Sequence, residues 1–167
     1  MSQKPESDGI EIRPAGIRRM LEMGRMREQP TTPEHVAAVW QKAVQSARDA
    51  EIVEMSIDGA LRSAYDAGHL AALALLAAHG LRPRGGGGHH EMAFAGAAAL
   101  GIEALVDLVP DSEEIRGLRK GSMYDPVIAG PDERDLAIQW MRRTLPAIRA
   151  ALALVDLKLP SLSESYP

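Results

Sequence analysis

The chain has 167 residues, of which 46% are hydrophobic, 25% charged and only 4% aromatic, and this fits one globular domain with a core of small and aliphatic side chains. It contains no cysteine, which excludes a disulfide scaffold, a thiolate metal site and thiol catalysis. Its 23 acidic and 19 basic residues give a net charge of −4, so any nucleic-acid site must be local.

Residues 1–30 form a weakly patterned N-terminal arm in which hydrophobic residues stand among arginines. A short amphipathic helix is expected from about Pro14 to Arg27. Such an arm is disordered, packed on the domain surface, or a partner-binding or RNA-binding element, and the sequence leaves these alternatives open. Residues 1–9 are polar, so we expect neither a signal peptide nor an anchor.

The first helix of the main domain has strong start signals. Thr32 can cap a helix and Pro33 suits the first helical turn, which predicts a helix that continues to about Ala50. Its hydrophobic residues recur at intervals of three and four, which predicts one buried stripe. These residues are Val36, Val39, Trp40, Ala43, Val44 and Ala47.

The second helix is expected to start near Ser56 or Asp58 and to run to His79, because Gly80 is a natural C-terminal stop. After Ala67 its hydrophobic residues occupy almost the whole circumference. A helix that is hydrophobic all round is buried, so this segment is predicted to be the central helix of a bundle.

A glycine-rich loop precedes a third predicted helix, which runs from about His89 to Val109 and which Pro110 closes. Asp111 or Ser112 caps a shorter fourth helix that reaches about residue 124.

A last helix begins after Pro131 and continues to about Val155, with a kink expected at Pro146. No stretch alternates with a period of two over more than a few positions, so strands are not expected. The predicted fold is an all-α, antiparallel up-and-down bundle of four or five helices over residues 31–157, followed by a polar tail at 158–167.

Several kinds of site lack their sequence signals. No glutamate has a histidine three residues later, as a di-metal bundle requires, and we expect no metal and no cofactor. No serine stands in a nucleophile motif. The longest near-apolar run covers about 12 residues, short of the roughly 20 that cross a bilayer, so we expect a cytoplasmic protein without a membrane partner.

The most informative pattern comes from three segments and the order in which they follow one another along the chain. They are Arg62-Ser-Ala-Tyr-Asp-Ala-Gly-His69, which leads into the alanine-rich run before Gly80, then Gly88-His89-His90, and later Leu118-Arg119-Lys120-Gly-Ser-Met-Tyr124. In this order they resemble the HEPN superfamily of small bacterial helical domains. In those domains an Arg/Ala-Tyr-Asp-Ala helix precedes a glycine-containing loop, a His-His helix start and a later helix with an arginine. The resemblance covers about residues 33 to 155.

The resemblance implies a helical bundle that forms homodimers. Active members are metal-independent ribonucleases in which Arg-x(4 to 6)-His motifs from both subunits meet in a cleft. The imidazole moves a proton between the RNA 2′-hydroxyl and the leaving oxygen, while the guanidinium stabilises charge on the phosphorane.

The resemblance assigns candidate catalytic roles to Arg119 and Tyr124. Arg119 matches the motif arginine, Lys120 replaces the common asparagine, and Tyr124 stands where a nuclease has its histidine. A phenol is mostly protonated at pH 7 and is a poor base, so cleavage and binding of RNA both stay open. Further phosphate contacts are expected from Arg116, Lys120, Arg84, His89 and His90.

Two further pairs on the second helix have structural interpretations. Arg62 and His69 also fit the loose motif spacing, but they lie two turns apart on one helix face, where a buried and hydrogen-bonded histidine is expected. Tyr65 and Asp66 are expected to form an interhelical packing and hydrogen-bonding pair.

The leading hypothesis is therefore a HEPN-like domain of a bacterial defence, stress-response or toxin–antitoxin system. It would bind or cleave RNA, or bind a nucleotide, at the cleft of a homodimer. The second hypothesis is a non-catalytic interaction module that pairs with a nucleotidyltransferase or another protein. The third is a ligand-binding helical bundle.

Overall fold

The computed structural model describes residues 13–85, 89–124 and 129–155, with the side chains of 89–91 and 122–124 outside that description. The helices are α1 (Ala15–Glu22), α2 (Pro33–Ala50), α3 (Ile57–Ala78), α4 (His89–Ala98), α5 (Glu103–Val106), α6 (Val109–Tyr124) and α7 (Pro131–Ala153). Two short strands, β1 (Met26–Glu28) and β2 (Leu81–Pro83), complete the elements. The predicted all-α bundle is confirmed.

Local capping sets the ends of α2 and α3. The Thr32 hydroxyl accepts a hydrogen bond from the backbone N–H of His35 at 3.2 Å, and the Ser56 hydroxyl accepts one from Gly59 at 3.1 Å. Gly80 follows α3 with a φ of 67°, a conformation that favours glycine. The predicted bounds of these two helices are confirmed.

Helix α3 is the centre of the bundle and packs against α2, α4, α6 and α7. Small residues on α3 allow this close packing. A methyl group at Gly68 would overlap the indole ring of Trp140 on α7, so that only glycine leaves room for the ring. Trp40 of α2 and Trp140 of α7 are almost fully buried, and both helices pack against α3.

The N-terminal segment contributes a second hydrophobic cluster. Ile17 of α1 and Met26 of β1 are buried against Leu76 and Leu81. Strand β1 pairs antiparallel with β2, in a register that places Met26 opposite Pro83. The expectation of no strands is wrong here, because three-residue strands are too short to show an alternating pattern and form only through their long-range pairing.

The predicted extent of the third helix, from about His89 to Val109, is also wrong. Helix α4 ends at Ala98, and Gly101, with a φ of 85°, separates it from the single turn of α5. Pro110 does not close a helix but lies in the first turn of α6. A proline in the first turn lacks only an N–H that has no helical partner there, so it starts a helix as readily as it ends one.

Helix α7 continues through Pro146 to Ala153. At its start the Glu133 carboxylate accepts a hydrogen bond from the backbone N–H of Gly130 at 2.9 Å. The predicted tail at 158–167 lies outside the described residues. Among the described helices, none combines the length and the hydrophobicity that a membrane crossing requires.

Candidate functional site

Arg119 lies at the contact between α3 and α6. Its Nη2 is 3.1 Å from Oδ1 of Asp66, and its guanidinium carbon is 5.2 Å from the centroid of the Tyr65 ring. The Arg119 side chain is 25% exposed, so the ion pair is reachable from solvent. Tyr65 and Asp66 thus both make the interhelical contacts expected of them, with the arginine that the HEPN resemblance singles out.

A second ion pair lies one turn earlier on α6. Nη2 of Arg116 is 2.7 Å from Oε2 of Glu113, and both side chains are partly exposed. Lys120, next to Arg119, is exposed. Because positions 116, 119 and 120 are spaced i, i+3 and i+4, the three cations share one face of α6. We call Arg116, Arg119 and Lys120 the α6 basic face.

An aromatic stack of four side chains contacts this face through Tyr65, whose ring lies next to the Arg119 guanidinium. The ring centroids of Phe94 and Trp140 are 5.3 Å apart, those of Trp140 and Tyr65 are 6.2 Å apart, and those of Tyr65 and His69 are again 6.2 Å apart. The indole N–H of Trp140 donates to the carbonyl of Leu108 at 3.3 Å, which fixes the orientation of the ring. Side chains from α3, α4 and α7 therefore hold Tyr65 in place under Arg119.

His69 stands inside this stack rather than at an open surface. It is 7% exposed and nearly parallel to the Tyr65 ring, at an interplanar angle of 9°. The cavity bordered by Tyr65, His69, Phe94 and Trp140 has a volume of about 10 Å³, close to the space of a single water molecule. A phosphodiester cannot reach the imidazole in this arrangement.

Burial of Tyr65 governs the chemistry of its phenol. Removal from water raises the pKa of Tyr65 to about 12, against the opposing influence of the nearby Arg116 and Arg119 guanidinium groups. The phenol is therefore neutral at physiological pH, and its ring face interacts with the Arg119 cation. Tyr65 acts as a platform for the arginine and not as a base.

The other predicted phosphate-binding residues are more scattered. Arg84 is exposed beyond β2, where its backbone N–H donates to the carbonyl of Arg25 at 3.0 Å. Within the described part of the chain, the ion pairs of Arg116 and Arg119 on the α6 basic face are with Glu113 and Asp66, and Arg84 takes no part in them. The predictions for His89, His90 and Tyr124 concern side chains outside the described residues.

Sequence reasoning missed the two residues that complete the site, Glu113 and Trp140. Glu113 precedes Arg116 by three positions, the spacing of a helical ion pair, and this signal could have found it. Trp140 had no such signal, because its role depends on the contact with Gly68, 72 positions earlier in the chain.

Among the described residues, no three His, Asp or Glu side chains group as metal ligands would. Comparison with the models of known families, with curated proteins and with solved structures finds no match for this chain.

Proposed function

We propose that this chain is a HEPN-like module that binds RNA through its phosphate groups and does not cleave it. The observation that carries the proposal is the α6 basic face, with its central arginine oriented by Asp66 and Tyr65. Within the described part of the chain, this face has three cations and ion pairs with two carboxylates, Asp66 and Glu113. The face therefore has a local positive excess in a chain of net charge −4.

The existing ion pairs do not prevent phosphate binding. Partly exposed pairs contribute about 0 to 1 kcal/mol, whereas charge-assisted bonds from a guanidinium to a phosphate are among the stronger hydrogen bonds of proteins. Asp66 pairs with Nη2 of Arg119, whose guanidinium carbon lies 5.2 Å from the centroid of the Tyr65 ring. A phosphate arriving at this surface would meet a guanidinium that is already oriented.

Among the described residues near such a phosphate, the groups present favour binding without cleavage. Cleavage through the RNA 2′-hydroxyl needs a base that is unprotonated near neutral pH. The Tyr65 phenol stays protonated, and His69 is enclosed within the aromatic stack. Tyr124, in the position of the nuclease histidine, supplies a phenol and not an imidazole.

The homodimer, the cytoplasmic location and the setting in a defence, stress-response or toxin–antitoxin system belong to the same proposal. They rest on the resemblance of the Arg62 to His69 and Leu118 to Tyr124 segments to HEPN domains. Light scattering of the purified protein tests the dimer, and the identity of the neighbouring genes tests the setting.

The experiment that tests RNA binding is a titration of fluorescein-labelled single-stranded RNA, followed by fluorescence anisotropy at several salt concentrations. Arg119→Gln should weaken binding about fivefold and reduce the salt slope by about 0.7, the value for one lost phosphate contact on a single strand. Asp66→Asn should have the opposite effect and tighten binding, because it removes the competing negative charge and keeps a side-chain oxygen that can still orient Arg119.

Arg19→Gln is the matched control, since it removes the same charge from an exposed arginine on α1. Helix α1 packs beside Leu76, ten positions and about 15 Å along α3 from Asp66. Equal losses for Arg19→Gln and Arg119→Gln, or weaker binding by Asp66→Asn, would contradict a specific phosphate site. Shortened RNA products that disappear with Arg119→Gln would contradict binding without cleavage.

A further inference from the structure

A groove of about 230 Å³ lies on a different side of α3, between α2, α3 and β2. The residues that α2 and α3 contribute to its wall are spaced along one face of each helix. They are His35, Val39 and Lys42 of α2 and Leu70, Leu73 and Ala77 of α3. Strand β2 closes one side of the groove with Leu81, Arg82 and Pro83.

The floor of this groove is an uncovered strip of the central helix. Helix α3 is hydrophobic around most of its circumference, the pattern of a helix that is covered on every side. Leu70, Leu73 and Ala77 nevertheless stay only partly buried, as does Val39 of α2. This strip thus exposes hydrophobic surface that α4, α6 and α7 do not cover.

The rim of the groove carries positive charge alone. Lys42 and Arg82 are exposed, and none of the described lining residues is acidic. Among the described residues, the Arg82 guanidinium donates to the neutral side-chain oxygen of Gln29 at 3.4 Å, and neither Arg82 nor Lys42 forms an ion pair with a carboxylate. In an acidic protein, a hydrophobic floor with an uncompensated cationic rim fits a ligand that is hydrophobic and negatively charged.

The dimensions favour a small ligand over a protein. Eleven described residues line the groove, whereas a stable protein interface uses roughly 20 to 30 residues on each side. Its volume also lies below the roughly 300 to 1,000 Å³ of sites for drug-sized ligands.

We propose that the groove binds a small amphiphilic anion, a molecule with a short aliphatic body and one terminal carboxylate or phosphate. The aliphatic body lies against Leu70, Leu73 and Val39, and the anionic group pairs with the cations of the rim. The buried hydroxyl of Thr31, in the same wall, has no hydrogen-bond partner among the described residues and can donate to a ligand oxygen after a rotation of its side chain.

The test uses octanoate and octyl phosphate as probes, with octanol and inorganic phosphate as the matched incomplete ligands. Binding to the full chain is followed by the methyl resonances of Leu70 and Leu73. Both complete probes should give saturable shifts. Octanol should bind at least tenfold more weakly because it lacks the charge, and inorganic phosphate should leave the methyl resonances unchanged.

Two variants locate the site. The double variant Lys42→Gln/Arg82→Gln should weaken octanoate about tenfold or more but leave octanol unchanged, while Leu73→Trp should fill the groove and abolish both. Arg143→Gln removes a charge from an exposed side chain of α7 and is the control. Equal affinity for octanol and octanoate, unchanged octanoate binding by the double variant, or a second copy of the chain covering Leu73 in solution would overturn the proposal.

Discussion

Asp66 and Arg119 are 53 positions apart in the chain, yet Oδ1 of one lies 3.1 Å from Nη2 of the other. The contact joins the middle of α3 to the exposed face of α6, directly above the Tyr65 ring. The same carboxylate therefore has two effects, since it helps to hold α6 against the central helix and it reduces the positive charge available to a ligand.

A double-mutant cycle measures the structural part of this relationship. Asp66→Ala, Arg119→Ala and the double variant should show a coupling of about 0.5 to 1 kcal/mol in the free energy of unfolding by urea, as for other partly exposed pairs. Arg119→Ala should cost about 0.5 to 1 kcal/mol more than Asp66→Ala, because it also removes the cation from the Tyr65 ring. A coupling of zero would contradict the expected contribution of this pair to the free energy of unfolding.

Gly68→Ala is expected to be among the most destabilising small substitutions in this chain. The added methyl group would overlap the ring of Trp140, and repacking of that kind costs about 1 to 3 kcal/mol. Thermal unfolding measures the loss. The near-ultraviolet circular dichroism of the two tryptophans should change at the same time.

Gly117→Ala is the matched control for this substitution. Gly117 lies inside α6, and a methyl group there would meet no heavy atom of the described residues within 4 Å. Alanine has the higher helix propensity, so this variant should be stabilised by about 0.5 to 1 kcal/mol. Two glycine substitutions with opposite signs would establish that space, and not backbone conformation, sets the outcome at Gly68.

Tyr65 should make the stability of the protein sensitive to alkaline pH. Its folded-state pKa is about 12, while that of an unfolded tyrosine is near 10, so only the unfolded chain loses the proton between these values. The contribution is complete below pH 10 and falls as the pH rises to 12, by on the order of 2 to 3 kcal/mol. Urea titrations of the wild type and Tyr65→Phe between pH 9 and 11.5 isolate the contribution of Tyr65 to the free energy of unfolding. Parallel losses in both proteins would contradict it.

His79 should make the stability of the protein sensitive to acidic pH. Burial lowers its pKa below the ordinary value of 6.5, and the charge of Arg13, whose Nη1 donates to the His79 carbonyl at 3.1 Å, lowers it further. The unfolded chain therefore takes up this proton first. The contribution of His79 to the free energy of unfolding is complete above pH 6.5. It decreases as the pH falls through the pKa that His79 has in the folded state.

NMR titration of the five histidines identifies the resonance that His79→Gln removes. That resonance should titrate below 6.5, and Arg13→Gln should move its pKa upward. His79→Gln should also reduce the loss of stability in acid. A His79 resonance with a pKa above 6.5 would contradict the combined effect of burial and the Arg13 charge.

Local signals in the sequence predict the helices whose ends depend on neighbouring residues. Thr32, Ser56 and Gly80 act within a few positions of their own helix, and the bounds of α2 and α3 followed from them. The break after Ala98 and the pairing of β1 with β2 depend on contacts between distant segments, and no local pattern indicated them.

The same distinction applies to the candidate site. Arg119 stands out because of the residues around it in the sequence, and the charge of its face follows from the spacing of Arg116 and Lys120. Its pairing with Asp66 and its position over Tyr65 require the packing of α6 on α3, which the sequence pattern does not specify. The groove beside Leu73 was missed because a hydrophobic helix surface predicts burial, whereas this part of the surface stays open.

The β1–β2 pairing also has a consequence for the order in which the chain acquires its structure during translation. Met26 leaves the ribosome 57 residues before Pro83, its partner in the register, which is a delay of about 3 to 11 s at 5 to 20 residues per second. For that time Ile17 and Met26 lack Leu76 and Leu81. The α1–β1 segment therefore docks only after α3 and β2, which follow it in the chain, have been synthesised.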